Sequence, residues 1–152
     1  MPQLVGVQAE GSAAIKNAYE KGGPVVPVSA QTIADSISVD RPRAAGQALR
    51  GLRDTHGIMV AVSDEEILEA MRVLGRSEGV FGEPAGVTSL AGVMKLKREG
   101  RIGPDETVVT IITGNGLKDV ETAMKAVGQP HLIENNVAAM KRAVKELLLV
   151  EA

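Results

Sequence analysis

The chain predicts an α/β fold, layered helix, mostly parallel sheet, helix. Three observations carry this. Two apolar runs of strand length, Ile58–Val62 and Val108–Ile112, stand among helix-period segments. Most of the helical stretches have a start or stop signal, such as the Ser63–Glu66 cap, Pro84, Gly22-Gly23-Pro24 and Gly100. Strands alternating with helices call for crossover connections, which place helices on both faces of a parallel sheet.

In chain order, Leu4–Val7 is a short apolar strand leading, past Gly11-Ser12, into a helix over Ser12–Lys21. Gly22-Gly23-Pro24 stops that helix. Val25–Val28 is too short and too interrupted by proline for a central strand. Thr32–Asp40 reads as loop, Ala44–Asp54 as helix with Gly57 as its exit, and Ile58–Val62 as strand. Ser63-Asp64-Glu65-Glu66 is a capping box, in which the serine accepts from the Glu66 amide while Glu66 reaches back. Behind it Ile67, Leu68, Met71 and Leu74 share a helical face. Pro84 occupies a first-turn position, where its missing N–H costs nothing. Val87, Leu90, Ala91 and Met94 make the next apolar stripe, ended by Gly100. Val108–Ile112 is apolar except at Thr110, the pattern of a strand covered on both faces. A last helix is expected over Glu134–Val150, with Val137, Met140, Val144, Leu147 and Leu148 inward. The expected organisation is one layered unit over 1–130 and a C-terminal helix within 131–152, jointed at Gly128-Gln129-Pro130.

Composition narrows the function. The 152 residues are 44% hydrophobic and 24% charged with a net charge of −2, which lacks the basic stripe of a nucleic-acid binder. Without cysteine there is no disulfide, thiolate metal site or cysteine nucleophile, which is compatible with a cytoplasmic setting. Met1–Val7 has neither the charged nor the apolar region of a signal peptide, and no apolar run reaches membrane-spanning length. Tyr19 and Phe81 are the aromatic residues, too few for base-stacking platforms or aromatic cages. His56 and His131 stand at no metal-ligand spacing, so no metal site is expected. Arg41-Pro42-Arg43 reads as a solvated loop.

Two strings stand out. Thr113-Gly114-Asn115-Gly116-Leu117-Lys118-Asp119 closes the second apolar run just before a helix. That strand edge is where α/β sheets bind ligands, and a helix N-terminus favours an anion. The bland alternative is a tight turn at demanding dihedrals. Asp119 stands where a dinucleotide fingerprint would have its third glycine. Glu83-Pro84-Ala85-Gly86 taken alone is an ordinary helix start. Lys118 invites a Schiff-base role, though a first-turn lysine usually points to solvent.

Together, in this order, the strings resemble the second half of threonine synthase, a pyridoxal-phosphate enzyme of the tryptophan-synthase-like, fold type II group. Val5-Gly6-Val7-Gln8-Ala9-Glu10-Gly11-Ser12, Thr32–Val39, Ser63–Leu68 and Glu78-Gly79-Val80-Phe81 extend the resemblance almost continuously from Leu4 to Val127. It implies part of that group's large domain. It implies that Thr113 supplies the hydroxyl that hydrogen-bonds the cofactor's pyridine nitrogen. A neutral hydroxyl holds no proton there, so the ring is a weaker electron sink, suited to elimination and replacement at β- or γ-carbons. Glu83 matches a position beside the ring, Gly114 and Asn115 the wall beneath Thr113, and Ala34 and Ser36 lie in backbone near the ring's other edge.

The family's Schiff-base lysine and glycine-rich phosphate loop precede the matched residues. The resemblance therefore implies the reaction of O-phosphohomoserine and water, giving threonine and phosphate, for the complete enzyme. No catalytic residue is assigned to this chain, and weak or no cofactor binding is expected of it alone. The expected partner is a complementary N-terminal half or, through exposed strand edges, another copy in a homo-oligomer. A non-catalytic assembly remnant and part of a serine/threonine dehydratase are the alternatives.

Overall fold

Ile58–Val62 forms a strand because it is a β-branched, apolar run bounded by Gly57 and Ser63. It pairs in parallel with Val5–Ala9, and these strands, β2 and β1, run in register from Val5 opposite Ile58 to Ala9 opposite Val62. The structure, a computed structural model, describes residues 1–150, with side chains as far as Leu147. After β1 a 3-10 turn, Glu10–Ser12, leads into α1 (Ala14–Lys21), which ends on Gly22 in the left-handed conformation, φ 64°. A long loop holding the 3-10 turn Asp35–Ile37 precedes α2 (Ala45–Asp54). Beyond β2 come α3 (Asp64–Glu78), α4 (Pro84–Arg98), α5 (Val120–Val127) and α6 (Val137–Val150).

Alternation along the strands sets the layers. Val7 packs against Gly92 of α4, while Gly6 on the opposite face meets Met59 and Leu52 of α2. Helices α1 and α2 thus cover one face and α3 and α4 the other, the three-layer order expected. The core lies on the α3–α4 side: Ala9, Val62, Ile67, Ala70, Val87 and Ala91 are buried there, joined by Ala34 from the long loop and by Ala123 and Ala126 of α5. At α3 the capping box is complete, with Glu66 N–H donating to Ser63 Oγ at 3.1 Å and Ser63 N–H to Glu66 Oε2 at 3.0 Å.

Two expectations need correction and a third is refined. Val108–Ile112 forms no strand: Val109 is 83% and Ile111 70% exposed, and Ile112 packs against the core. A strand covered on both faces needs neighbours on both sides, and the two strands among the described residues pair only with each other. Helix α6 starts at Val137 rather than Glu134, because Asn136 Oδ1 accepts the Ala139 N–H at 2.8 Å. Its expected inward stripe, Val137, Met140, Val144 and Leu147, is exposed, while Ala139 is buried; the Leu148 side chain lies outside the described residues. Gly57 lies in the exit of α2, its N–H donating to Leu52 C=O at 2.7 Å, but it is not the left-handed residue there. His56 takes the positive φ of 50°, and Gly57 is glycine because a Cβ there would stand 2.5 Å from the Leu4 carbonyl oxygen.

Candidate functional site

The two strings singled out in the sequence lie against each other. Pro84 sits at the first position of α4, and Glu83 precedes it as N-cap. Glu83 N–H donates to Gly114 C=O and Gly116 N–H to Phe81 C=O, both at 3.0 Å, around an antiparallel bridge between Gly82 and Asn115. Close approach is possible because the contacts are made by glycines. A Cβ on Gly86 would stand 2.8 Å from Gly114 N and 2.9 Å from Gly114 O. A Cβ on Gly114 would overlap the Glu83 carboxylate, and one on Gly116 would overlap the Phe81 ring.

Glu83 is 5% exposed, yet its side chain caps no N–H of its own helix. Its Oε1 instead accepts from Lys118 Nζ at 2.8 Å. Lys118 is carried back by a 3-10 turn, Gly116–Lys118, whose first turn is closed by Leu117 N–H donating to Asn115 Oδ1 at 2.9 Å. The lysine stem is solvated, as expected of a first-turn position, but its ammonium is engaged. Asp119 Oδ1 accepts the Thr122 N–H at the start of α5, so that helix start already holds an anionic group of its own.

Thr113 is exposed beside this crossing, Gly114 is half-buried and Asn115 is exposed. Ala34 is fully buried in the cluster that holds Val87 of the first turn of α4, and Ser36 is exposed on the turn that follows. Segment 32–39 is therefore brought to the same end of α4 as Glu83. His56, His131, Arg41 and Arg43 are all exposed. Among the described residues no group of three His, Cys, Asp or Glu is placed to hold a metal.

Two residues fix this segment through contacts for which the sequence carries no signal. Ser12, 1% exposed, donates from Oγ to Ile37 C=O at 3.0 Å and accepts the Val39 N–H at 3.0 Å. Asp64 accepts from Thr32 Oγ1 at 2.5 Å and from Ile33 N–H at 3.1 Å. Both act across more than 24 residues of chain, which a local pattern does not record. Asp64 is legible only as part of the capping box.

An ion network braces the open edge of β2. Ile58 N–H donates to Leu4 C=O, so by alternation the Ala61 carbonyl turns outward, where it accepts from Lys95 Nζ at 2.8 Å. Lys95 also meets Glu66 at 3.0 Å and Glu10 at 3.3 Å, and Arg98 meets Glu66 at 2.5 Å. Burial pushes the Glu66 carboxyl up, but the Ser63 N–H, Lys95 and Arg98 outweigh it and leave Glu66 below its ordinary value. Burial pushes Lys95 down, and Glu66 and Glu10 outweigh that, leaving it above its ordinary value.

The crossing sets a neutral, exposed hydroxyl at Thr113 on backbone that glycines bring close to the buried carboxylate of Glu83.

The family model described as pyridoxal-phosphate dependent enzyme matches residues 1–114. The chain is 42% identical over 149 residues to the threonine synthase of Methanocaldococcus jannaschii and 40% identical over 146 residues to that of Methanosarcina acetivorans. These alignments take in 97% and 95% of this chain but 37% and 36% of those proteins, so the chain spans a little over a third of their length. Among solved structures, a T.th. threonine deaminase superposes with TM-score 0.59 and 26% identity, over 74% of this chain and 39% of that one. Isoform 2 of the Solanum lycopersicum threonine deaminase superposes with TM-score 0.66 and 20% identity, over 84% of this chain and 37% of that one, a likeness of fold. The chain belongs to the pyridoxal-phosphate dependent enzyme family, whose cofactor is pyridoxal phosphate.

Proposed function

We propose that this chain is the C-terminal portion of a threonine-synthase-type enzyme, acting on O-phosphohomoserine and water to give threonine and phosphate. The observation that carries this is the crossing of Glu83–Gly86 with Thr113–Lys118, because the two strings that bear the resemblance meet in space. The identity over 97% of the chain supports it.

In this reading Thr113 hydrogen-bonds the pyridine nitrogen, Gly114 and Asn115 form the wall beneath it, Glu83 stands beside the ring, and Ala34 and Ser36 border its other edge. Pyridoxal phosphate, when bound, supplies an electron sink for the substrate's α-carbon. This chain's part would be to bind and orient: the Thr113 hydroxyl would hydrogen-bond the pyridine nitrogen, and a neutral hydroxyl holds no proton there. The Schiff-base lysine and the phosphate loop come from residues that precede these in the complete enzyme, in the same polypeptide or in another. The 152 residues alone are inactive and bind the cofactor weakly or not at all. A cysteine-free chain suits a cytoplasmic location. No helix among the described residues is long and apolar enough to cross a membrane.

The test is to assemble the chain with the preceding portion of a related threonine synthase and follow phosphate release from O-phosphohomoserine. Release that requires both parts and is lost in Thr113→Ala supports the assignment. Release indifferent to Thr113→Ala removes it. Superposition on threonine deaminase supports a second reading, in which the assembled enzyme dehydrates serine or threonine. Ammonia release from those amino acids without phosphate release from O-phosphohomoserine would favour it. An assembly that binds neither cofactor nor substrate would leave the non-catalytic remnant.

A further inference from the structure

We propose that Lys118 is a positioning residue, whose ammonium holds the buried Glu83 carboxylate against Gly114 and so fixes the Thr113 hydroxyl beside it. The side chains that accept first-turn N–H groups from an N-cap are those of Ser, Thr, Asp and Asn, and Glu is longer than any of them. Glu83 accepts no first-turn N–H with its side chain, although it is buried and precedes a fifteen-residue helix. Its Oε1 is 2.8 Å from Lys118 Nζ and lies where a Gly114 side chain would be.

The contact closes a ring. From Glu83 the path runs through its N–H to Gly114 C=O, along Asn115 to Gly116, through the 3-10 turn to Lys118, and back across the ion pair. Every residue between Thr113 and Lys118 is held either by a backbone hydrogen bond to Phe81 or Glu83 or by the Asn115 cap. The unequal burial shows how the pair works, with the Lys118 side chain 58% exposed and that of Glu83 7% exposed. The lysine needs no partner to stay solvated, whereas the carboxylate, without the lysine, is a buried charge lacking its counter-ion. Loss of Lys118 thus leaves Glu83 to swing toward its own helix N-terminus or toward water. Either movement vacates the space against Gly114 and loosens the crossing that carries Thr113.

The role for Thr113 rests on the cofactor reading above, but the first test does not. Amide exchange of the purified chain is compared for Lys118→Met, similar in length and uncharged, and Lys118→Arg, which keeps the cation. In Lys118→Met the Glu83 and Gly116 N–H groups, which make the crossing's hydrogen bonds, are expected to exchange about tenfold faster, the factor that corresponds to 1.4 kcal/mol. In Lys118→Arg they return toward the parent rate. The Glu66 N–H of the capping box, remote from the crossing, keeps its rate in both and reports that the fold is intact. Unchanged exchange at Glu83 and Gly116 in Lys118→Met, or equal acceleration in Lys118→Arg, overturns the inference.

The second test uses the enzyme assembled with its preceding portion and reads the absorbance maximum of bound pyridoxal phosphate. A shift in Lys118→Met that Lys118→Arg reverses is expected. An unshifted Lys118→Met spectrum overturns the positioning role, and Thr113→Ala in the same assay reads the cofactor assignment separately. A shift there leaves the Thr113 reading standing without Lys118, and no shift removes that reading too.

Discussion

Gly86 and Gly114 meet backbone to backbone: a methyl group on Gly86 would stand within 2.9 Å of both the nitrogen and the oxygen of Gly114. One belongs to the first turn of α4 and the other to the loop that carries Thr113, so this contact sets how closely the two halves of the crossing approach. Gly86→Ala should therefore destabilise the chain by about 1–3 kcal/mol from overpacking against backbone, more than the helix-propensity gain of about 1 kcal/mol. Gly75, in α3, has open space where a Cβ would stand, with nothing within 4 Å. Gly75→Ala should stabilise by about 0.5–1 kcal/mol. Urea unfolding of the two variants checks both, and a Gly86→Ala chain as stable as Gly75→Ala would contradict the tight crossing.

Asp64 serves two structures at once. It opens α3, and it accepts from Thr32 and Ile33 of the segment that carries Ala34 and Ser36. Asp64→Ala should cost about 1–3 kcal/mol by leaving the Thr32 hydroxyl and the Ile33 N–H without their acceptor. The loss should appear as faster amide exchange at Ile33 while the β2 amides are unaffected. Ser12→Ala should loosen the far end of the same segment, at Val39.

The network around Lys95 gives a pH dependence of definite sign. Glu66 is held below its ordinary value of 4.5, so the stability it adds is present above 4.5 and is lost as pH falls through its lower folded value. Lys95 is held above its ordinary value of 10.5, so its share is present below 10.5 and is lost as pH rises through its higher folded value. Glu66→Gln should flatten the acid limb of a stability-versus-pH curve. It also weakens the capping box, so the variant should be less stable at pH 7 as well. An acid limb unchanged by Glu66→Gln would assign the acid sensitivity to other carboxylates.

Among the apolar side chains that face outward are Val109 and Ile111 before the crossing and Val137, Met140, Val144 and Leu147 along α6. Exposed apolar surface of this kind drives association. Sedimentation of the isolated chain should show a mass that rises with concentration, and addition of the complementary portion should replace that self-association. A monomer at all concentrations would contradict this.

What can be read from the sequence follows from where each signal resides. The start of α3 is written in four adjacent residues, Ser63 to Glu66, and β2 in five, so both are legible at their true boundaries. Pro84 and Gly100 likewise mark the ends of α4 through local backbone geometry. Val108–Ile112 has the composition of a doubly covered strand, but pairing depends on a neighbour that the segment does not encode. The same holds for α6, whose stripe records a surface to be covered without naming the cover. Glu83 and Lys118, like Ser12 and Val39, meet through folding across tens of residues. Their types at those positions are compatible with many partners, and only the fold selects one.

The most direct measurement adds pyridoxal phosphate to the purified 152-residue chain, follows its absorbance, then reduces with borohydride and weighs the intact protein. No lysine-bound absorbance band and no added mass are expected on this chain. With the preceding portion present, both should appear, with the mass fixed on that portion. Stoichiometric fixation on a lysine of this chain alone would contradict the account, and Lys118 would be the first lysine to replace.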